Sequence, residues 1–139
     1  MPADNAPIGF YIKKCDELLT HEINQIHLSQ NITRTGWQLL NVMNEKAGIS
    51  RKDLFAAVQP FAQQQEVESI LADFEREKWI EKTEREEYSI TEKGRNIFDV
   101  CEARQKAFRQ KVMWGVSRED YQVTLATLTK MISNMKGKS

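Results

Sequence analysis

The sequence predicts a mainly α-helical protein with one small β-hairpin. Apolar residues recur at spacings of three and four along most of the 139 residues, which is the helical period. One interval departs from it: residues 79–83 and 88–91, about the polar Glu84-Arg85-Glu86-Glu87, alternate apolar and polar side chains, the period of a strand pair. Ser or Thr stands ahead of four of the helical runs, at Thr33, Ser50, Thr91 and Ser117, where an oxygen can cap the first free amides. In residues 61–94 an amphipathic helix carrying Val67, Ile70, Leu71 and Phe74 feeds directly into the hairpin, and a shorter helix precedes it. That is the layout of a winged helix-turn-helix, whose second helix enters the DNA major groove while the wing reaches backbone or minor groove.

Taken in order, a polar tail leads into a long helix over residues 7–27. Ile8, Ile12, Cys15, Leu19, Ile23 and Ile26 form one stripe, widened by Tyr11 and Leu18, so the helix needs a partner surface. Asn31-Ile32-Thr33 interrupts it, and a second helix runs over residues 34–46 with a broad apolar face of Trp37, Leu39, Leu40, Val42 and Met43. Gly48 follows its end, where a left-handed backbone is favoured. Ser50 with Asp53 starts a third helix, residues 51–58, burying Leu54, Phe55 and Val58. After Pro60 the fourth spans residues 62–77, and Lys78 marks the tight turn into the wing. Thr91 caps a fifth helix over residues 92–114, which at ~1.5 Å per residue spans roughly 35 Å, longer than one small core needs. Ser117 with Asp120 opens the sixth, where Tyr121, Leu125, Leu128, Ile132 and Met135 repeat as a heptad-like seam. The expected organisation is a tail and dimerisation helix over 1–31, the winged module over 32–94, and dimerisation helices over 95–139. Apolar stripes at both ends are most economically covered by a second copy in a two-fold homodimer.

Composition narrows the function. Twenty basic and twenty acidic residues give zero formal charge, without the overall basic excess of many nucleic-acid binders. The charges are unevenly placed: residues 61–91 hold nine acidic and four basic side chains, net −5, and residues 92–139 hold five and ten, net +5. No apolar run approaches the ~18 residues of a membrane span, and residues 1–7 lack a signal-peptide core, so a soluble cytoplasmic protein is expected. Cys15 and Cys101 lie in helical patterns without CxxC spacing and are expected to be two buried thiols. His21 and His27 are six apart, not the four that would let both reach one metal. No Ser-His-Asp order, glycine-rich phosphate loop or paired-carboxylate signature is present, so neither an enzymatic activity nor a cofactor or metal is expected.

Ile32-Thr33 followed by Trp37-Gln38-Leu39-Leu40, Ser50 to Leu54, Tyr88-Ser89-Ile90-Thr91-Glu92-Lys93-Gly94-Arg95, and Gly115-Val116-Ser117-Arg118-Glu119-Asp120 stand in an order and spacing similar to one known family. The chain resembles, over nearly its whole length, the multiple-antibiotic-resistance regulator (MarR) family of bacterial transcription factors. The resemblance implies a homodimer held by helices one, five and six, with two winged modules on a palindromic site of double-stranded DNA. It also implies, for many members, a small phenolic or lipophilic effector, or a thiol, that shifts the dimer between binding and non-binding spacings.

On that resemblance the fourth helix turns Gln64, Gln65, Glu66, Glu68, Ser69 and Asp73 toward bases. Gln can pair with adenine and Glu can accept from cytosine N4, but acidic residues repel phosphate, and relatives commonly use Ser, Thr and Arg there. The wing is short and lacks the family's Asp-x-Arg-Asp-like tip, leaving Arg85 as its minor-groove arginine and Lys82 at its base, while Arg51 and Lys52 are the candidate phosphate contacts. Phe10, Tyr11 and Trp37 are the aromatic residues expected to line an effector pocket. The competing expectation is a winged-helix protein-interaction module with weak or no DNA binding, using its acidic helix and wing.

Overall fold

A computed structural model of the chain describes residues 6–59 and 61–137. The order of elements is α1 (Ile8–Ser29), α2 (Arg34–Glu45), β1 (Ile49–Ser50), α3 (Arg51–Val58), α4 (Gln64–Arg76), β2 (Ile80–Lys82), β3 (Glu87–Ile90), α5 (Glu92–Val112) and α6 (Arg118–Met135). The chain divides into two compact units, one ending at Gln105 and the other beginning at Lys106.

In the first unit the helices begin where local chemistry starts them. Thr33 accepts from the Gly36 amide at 3.1 Å, Ser50 from that of Asp53 at 3.1 Å, and Thr91 from that of Gly94 at 3.1 Å, each removing one orphan donor from a first turn. α4 ends on paired bonds, Lys78 N–H to Glu75 and Trp79 N–H to Phe74, with Lys78 at φ 64°. This is a Schellman-type stop in which lysine takes the left-handed position that glycine usually fills.

Three helices deliver one apolar face each to a common core. α2 buries Leu39, Leu40 and Met43; α3 buries Leu54 and Val58; α4 buries Val67, Leu71 and Phe74. The sheet closes it with Ile49, Ile80, Tyr88 and Ile90, and α5 adds Phe98 and Cys101. A β-carbon on Gly36 would lie 2.9 Å from Ile32 Cγ1 and 3.0 Å from Phe74 Cζ, so glycine sets how closely α2 approaches α4.

The sheet holds one strand more than the expected hairpin. Its order is β1-β3-β2, all antiparallel, with Ile49 opposite Tyr88 and Ser50 opposite Glu87 on one side, and Ile80 opposite Ile90 on the other. A two-residue strand carries no period of its own. Its effect is large nonetheless, because it pins the start of α3 to the wing.

α1 buries only His27. The expectation of two buried thiols is corrected: Cys101 is buried and Cys15 is exposed, because the first half of the α1 stripe, residues 8–18, is left exposed among the described residues. In the second unit Ser117 accepts from the Asp120 amide at 3.0 Å to start α6, and α6 buries none of its residues. Among the described residues no helix is long and apolar enough to cross a membrane.

Candidate nucleic-acid interface

The β1–β3 pairing brings four of the expected basic side chains together. A cleft of about 340 Å³ lies between the start of α3 and the wing, lined by Ser50, Arg51, Lys52, Lys82, Arg85, Glu86 and Tyr88. The Ser50 cap starts α3 at the point where Arg51 and Lys52 face the wing. β2 ends at Lys82, and a turn closed by Glu86 N–H to the Thr83 carbonyl, with Glu86 at φ 58°, presents Arg85. Four cations against Glu86 in the lining and Glu68 beside Arg51 leave this surface net positive, although residues 80–90 of the wing hold four acidic side chains to two basic ones.

Arg51 is the best-anchored of the four. Its Nη2 donates to the Tyr88 hydroxyl at 2.8 Å, and its guanidinium carbon lies 5.9 Å from the centre of that ring. Tyr88 is fully buried, so the phenol is a rigid post rather than a mobile partner. Arg51 Nη1 also lies 3.5 Å from a Glu68 carboxylate oxygen across on α4. The Tyr88 contact is the first cause holding the guanidinium pKa above its ordinary value, with Glu68 and Glu86 adding to it. Burial opposes this only slightly at so open a site, and the guanidinium stays charged.

α4 presents Gln64, Gln65, Glu66, Glu68, Ser69 and Asp73 as exposed residues, turned away from Val67, Leu71 and Phe74. Gln64 Nε2 donates to the same Glu68 oxygen at 3.5 Å, the long end of a hydrogen bond. Arg76 forms an ion pair with Asp73, so the one basic residue of α4 has its charge matched on its own helix.

The three aromatic residues expected in an effector pocket do not meet within one chain. Phe10 and Tyr11 pack edge to face at 5.4 Å near the start of α1, and both are exposed. Trp37 lies in an aromatic stack, 5.1 Å from Phe98 and 6.0 Å from His27. At 1.5 Å per residue about 25 Å of helix separates Phe10 from His27. The Trp37 stack is a feature the sequence reading missed. His27 is buried with Nε2 3.0 Å from Gln105 Nε2, and burial first, then Arg34, lowers its pKa from the ordinary value. Burial likewise pushes the Cys101 thiol up.

Neither a family model nor a curated protein matches the sequence. Solved structures do match the fold. A MarR family protein of Mycobacterium tuberculosis, Rv2887, in complex with DNA, aligns with a TM-score of 0.67 at 18% identity over 91% of this chain and 98% of that one. A mutant MepR of S. aureus bound to an oligodeoxyribonucleotide aligns at 0.66 and 18% identity, over 94% and 99%. CouR of Rhodococcus jostii bound to p-coumaroyl-CoA aligns at 0.64 and 16% identity, over 97% and 95%.

Proposed function

We propose that this chain, which has the MarR-type winged-helix fold, is a dimeric DNA-binding transcriptional regulator of the cytoplasm, binding rather than catalysing. The observation that carries this reading is the cleft in which Arg51, Lys52, Lys82 and Arg85 converge between α3 and the wing. Guanidinium and ammonium groups so grouped suit the oxygens of a phosphate backbone, and such contacts set the register from which bases are read. Gln64 and Gln65 are then the adenine readers of α4, Ser69 a tolerant donor or acceptor, and Glu68 an acceptor for cytosine N4. Two DNA-bound proteins of the same fold support the assignment.

The dimer belongs to the same proposal. Ile8, Ile12 and Leu18 on α1 and Tyr121, Leu125 and Ile132 on α6 are exposed in the single chain, more apolar surface than a lone domain usually leaves in water. A small lipophilic or phenolic effector is the further part. The Rhodococcus protein of this fold holds an acyl-CoA, and a pocket using Phe10, Tyr11 and Trp37 together has to draw on two subunits.

Selection of duplexes from a random pool, followed by salt-titrated binding, tests the reading. Arg51→Ala and Arg85→Ala are each expected to weaken binding across sequences and to flatten the salt slope by about 1. Unchanged affinity in both variants removes the cleft from the interface. The second reading, a protein-interaction module, is favoured by the exposed Glu66, Glu68, Asp73 and Glu75 of α4, and a wild-type protein that selects no duplex at low salt would establish it over the first.

A further inference from the structure

The anchored guanidinium of the cleft already has an anion on it. One oxygen of Glu68 lies 3.5 Å from Arg51 Nη1 and 3.5 Å from Gln64 Nε2. A single carboxylate on the helix expected to face bases therefore engages both a phosphate-seeking cation and an adenine-reading amide. The other arm of Arg51 is bonded to buried Tyr88, which anchors the guanidinium in place when the carboxylate leaves. Glu68, with its side chain 43% exposed, is free to swing outward.

We propose that Glu68 is a built-in substitute for a DNA phosphate: it occupies Arg51 and restrains Gln64 in the free protein, and a backbone phosphate displaces it, releasing Gln64 to read a base in the same step. The inference rests on the DNA-binding reading above. Carboxylate and phosphate present similar oxygen pairs to a guanidinium, so one can replace the other without moving Arg51. An ion pair between two half-exposed side chains is weak and screened by salt. A phosphate on duplex DNA has the advantage of the counterions it releases. Where no phosphate reaches the site, Glu68 and neighbouring Glu86 keep the cleft partly neutral and hold down non-specific attraction.

The test uses the full chain and a labelled mixed-sequence duplex long enough for two winged modules, titrated with salt. Glu68→Gln keeps the size of the side chain and removes the charge. It is expected to tighten binding about three- to fivefold at low salt and to steepen the salt slope by up to roughly 0.9 per chain. In an Arg51→Ala background the gain disappears, the signature of a coupled pair. Glu66→Gln, on the same helix but outside the pair, controls for the general loss of negative charge; its gain is smaller and survives Arg51→Ala. A Glu68→Gln gain no larger than that of Glu66→Gln, or one that persists without Arg51, overturns the proposal.

Inorganic tripolyphosphate, read as a shift in melting temperature, is the second probe, because it needs the cleft and not the duplex. If no variant binds duplex DNA but Glu68→Gln enlarges the tripolyphosphate shift only when Arg51 is present, the DNA reading falls, and with it the release of Gln64 to a base, while the exchange of carboxylate for phosphate on Arg51 stands. If Glu68→Gln behaves as wild type toward both probes, the substitute falls.

Discussion

Gly94→Ala is expected to destabilise the protein by about 2–4 kcal/mol, although it replaces glycine in a helix, where alanine ordinarily gains about 1 kcal/mol. Gly94 sits in the first turn of α5, against the root of the wing. A β-carbon there would lie 2.9 Å from the Trp79 carbonyl carbon, closer still to its oxygen, and 3.0 Å from Ile90 Cγ1. The obstacle is backbone and cannot rotate aside. That oxygen accepts from the Thr91 amide at 3.0 Å, while the Thr91 hydroxyl donates to the Lys78 carbonyl at 2.7 Å and accepts from the Gly94 amide. Relief requires α5 to back away and strain these bonds. Overpacking of this kind costs about 1–3 kcal/mol and two weakened hydrogen bonds about 1 kcal/mol each, which outweighs the gain in helix propensity. Urea unfolding at fixed protein concentration reads the loss as a lower midpoint at unchanged slope. Thermal melting should fall by roughly 4 °C per kcal/mol in a chain of this size. Gly9→Ala is the control, since a β-carbon at Gly9 meets nothing within 4 Å, and it should be neutral or slightly stabilising. A Gly94→Ala protein as stable as wild type would refute the close approach of helix and wing.

Two further outcomes follow from buried groups. The folded chain holds the His27 pKa below its ordinary 6.5, so the unfolded chain takes up a proton that the folded one refuses. Stability should therefore fall as pH drops below about 6.5 and be flat above it with respect to this group; His27→Phe should remove that limb from the difference between the two unfolding curves, and a limb of equal size in both would exclude His27 as its source. Ellman's reagent should modify exposed Cys15 and spare Cys101, which is buried with a raised pKa. Because Cys15 lies on the α1 stripe proposed to meet a second copy, its labelling should quicken on dilution, whereas a rate independent of concentration would place the interface elsewhere.

Much of the fold was legible because it is written locally. Thr33, Ser50, Thr91 and Ser117 cap helices as the sequence indicates, since a cap depends on residues three positions apart. The identities of the cleft cations were legible too, but their convergence was not. It depends on Ile49 pairing with Tyr88, a contact 39 positions apart that no periodic pattern encodes. Tyr88 read as an alternating wing residue and proved also to be the post for Arg51. Cys15 went astray for the opposite reason: spacing shows which face of a helix is apolar but not whether the same chain covers it. Spacing left open whether His27 was exposed or packed, because its burial depends on Trp37 from α2 and Gln105 from α5.

The charge distribution shows why a window count misleads at an interface. Residues 61–91 total −5, yet the cleft beside the wing is positive because Arg51 and Lys52 come from the preceding segment and fold against Lys82 and Arg85. The negative side chains of α4 do not cancel that cleft uniformly, since Asp73 engages Arg76 and Glu68 engages Arg51. A duplex laid on this surface would meet attraction at the wing and repulsion along the helix. Non-specific affinity, which comes almost wholly from phosphate contacts, should then be weak, and a site would be held only where bases compensate for the acidic face. On the proposed DNA-binding reading, an acidic α4 would give up general affinity for discrimination, because every sequence offers the same phosphates and only some offer the cytosine and adenine edges proposed for Glu68 and Gln64.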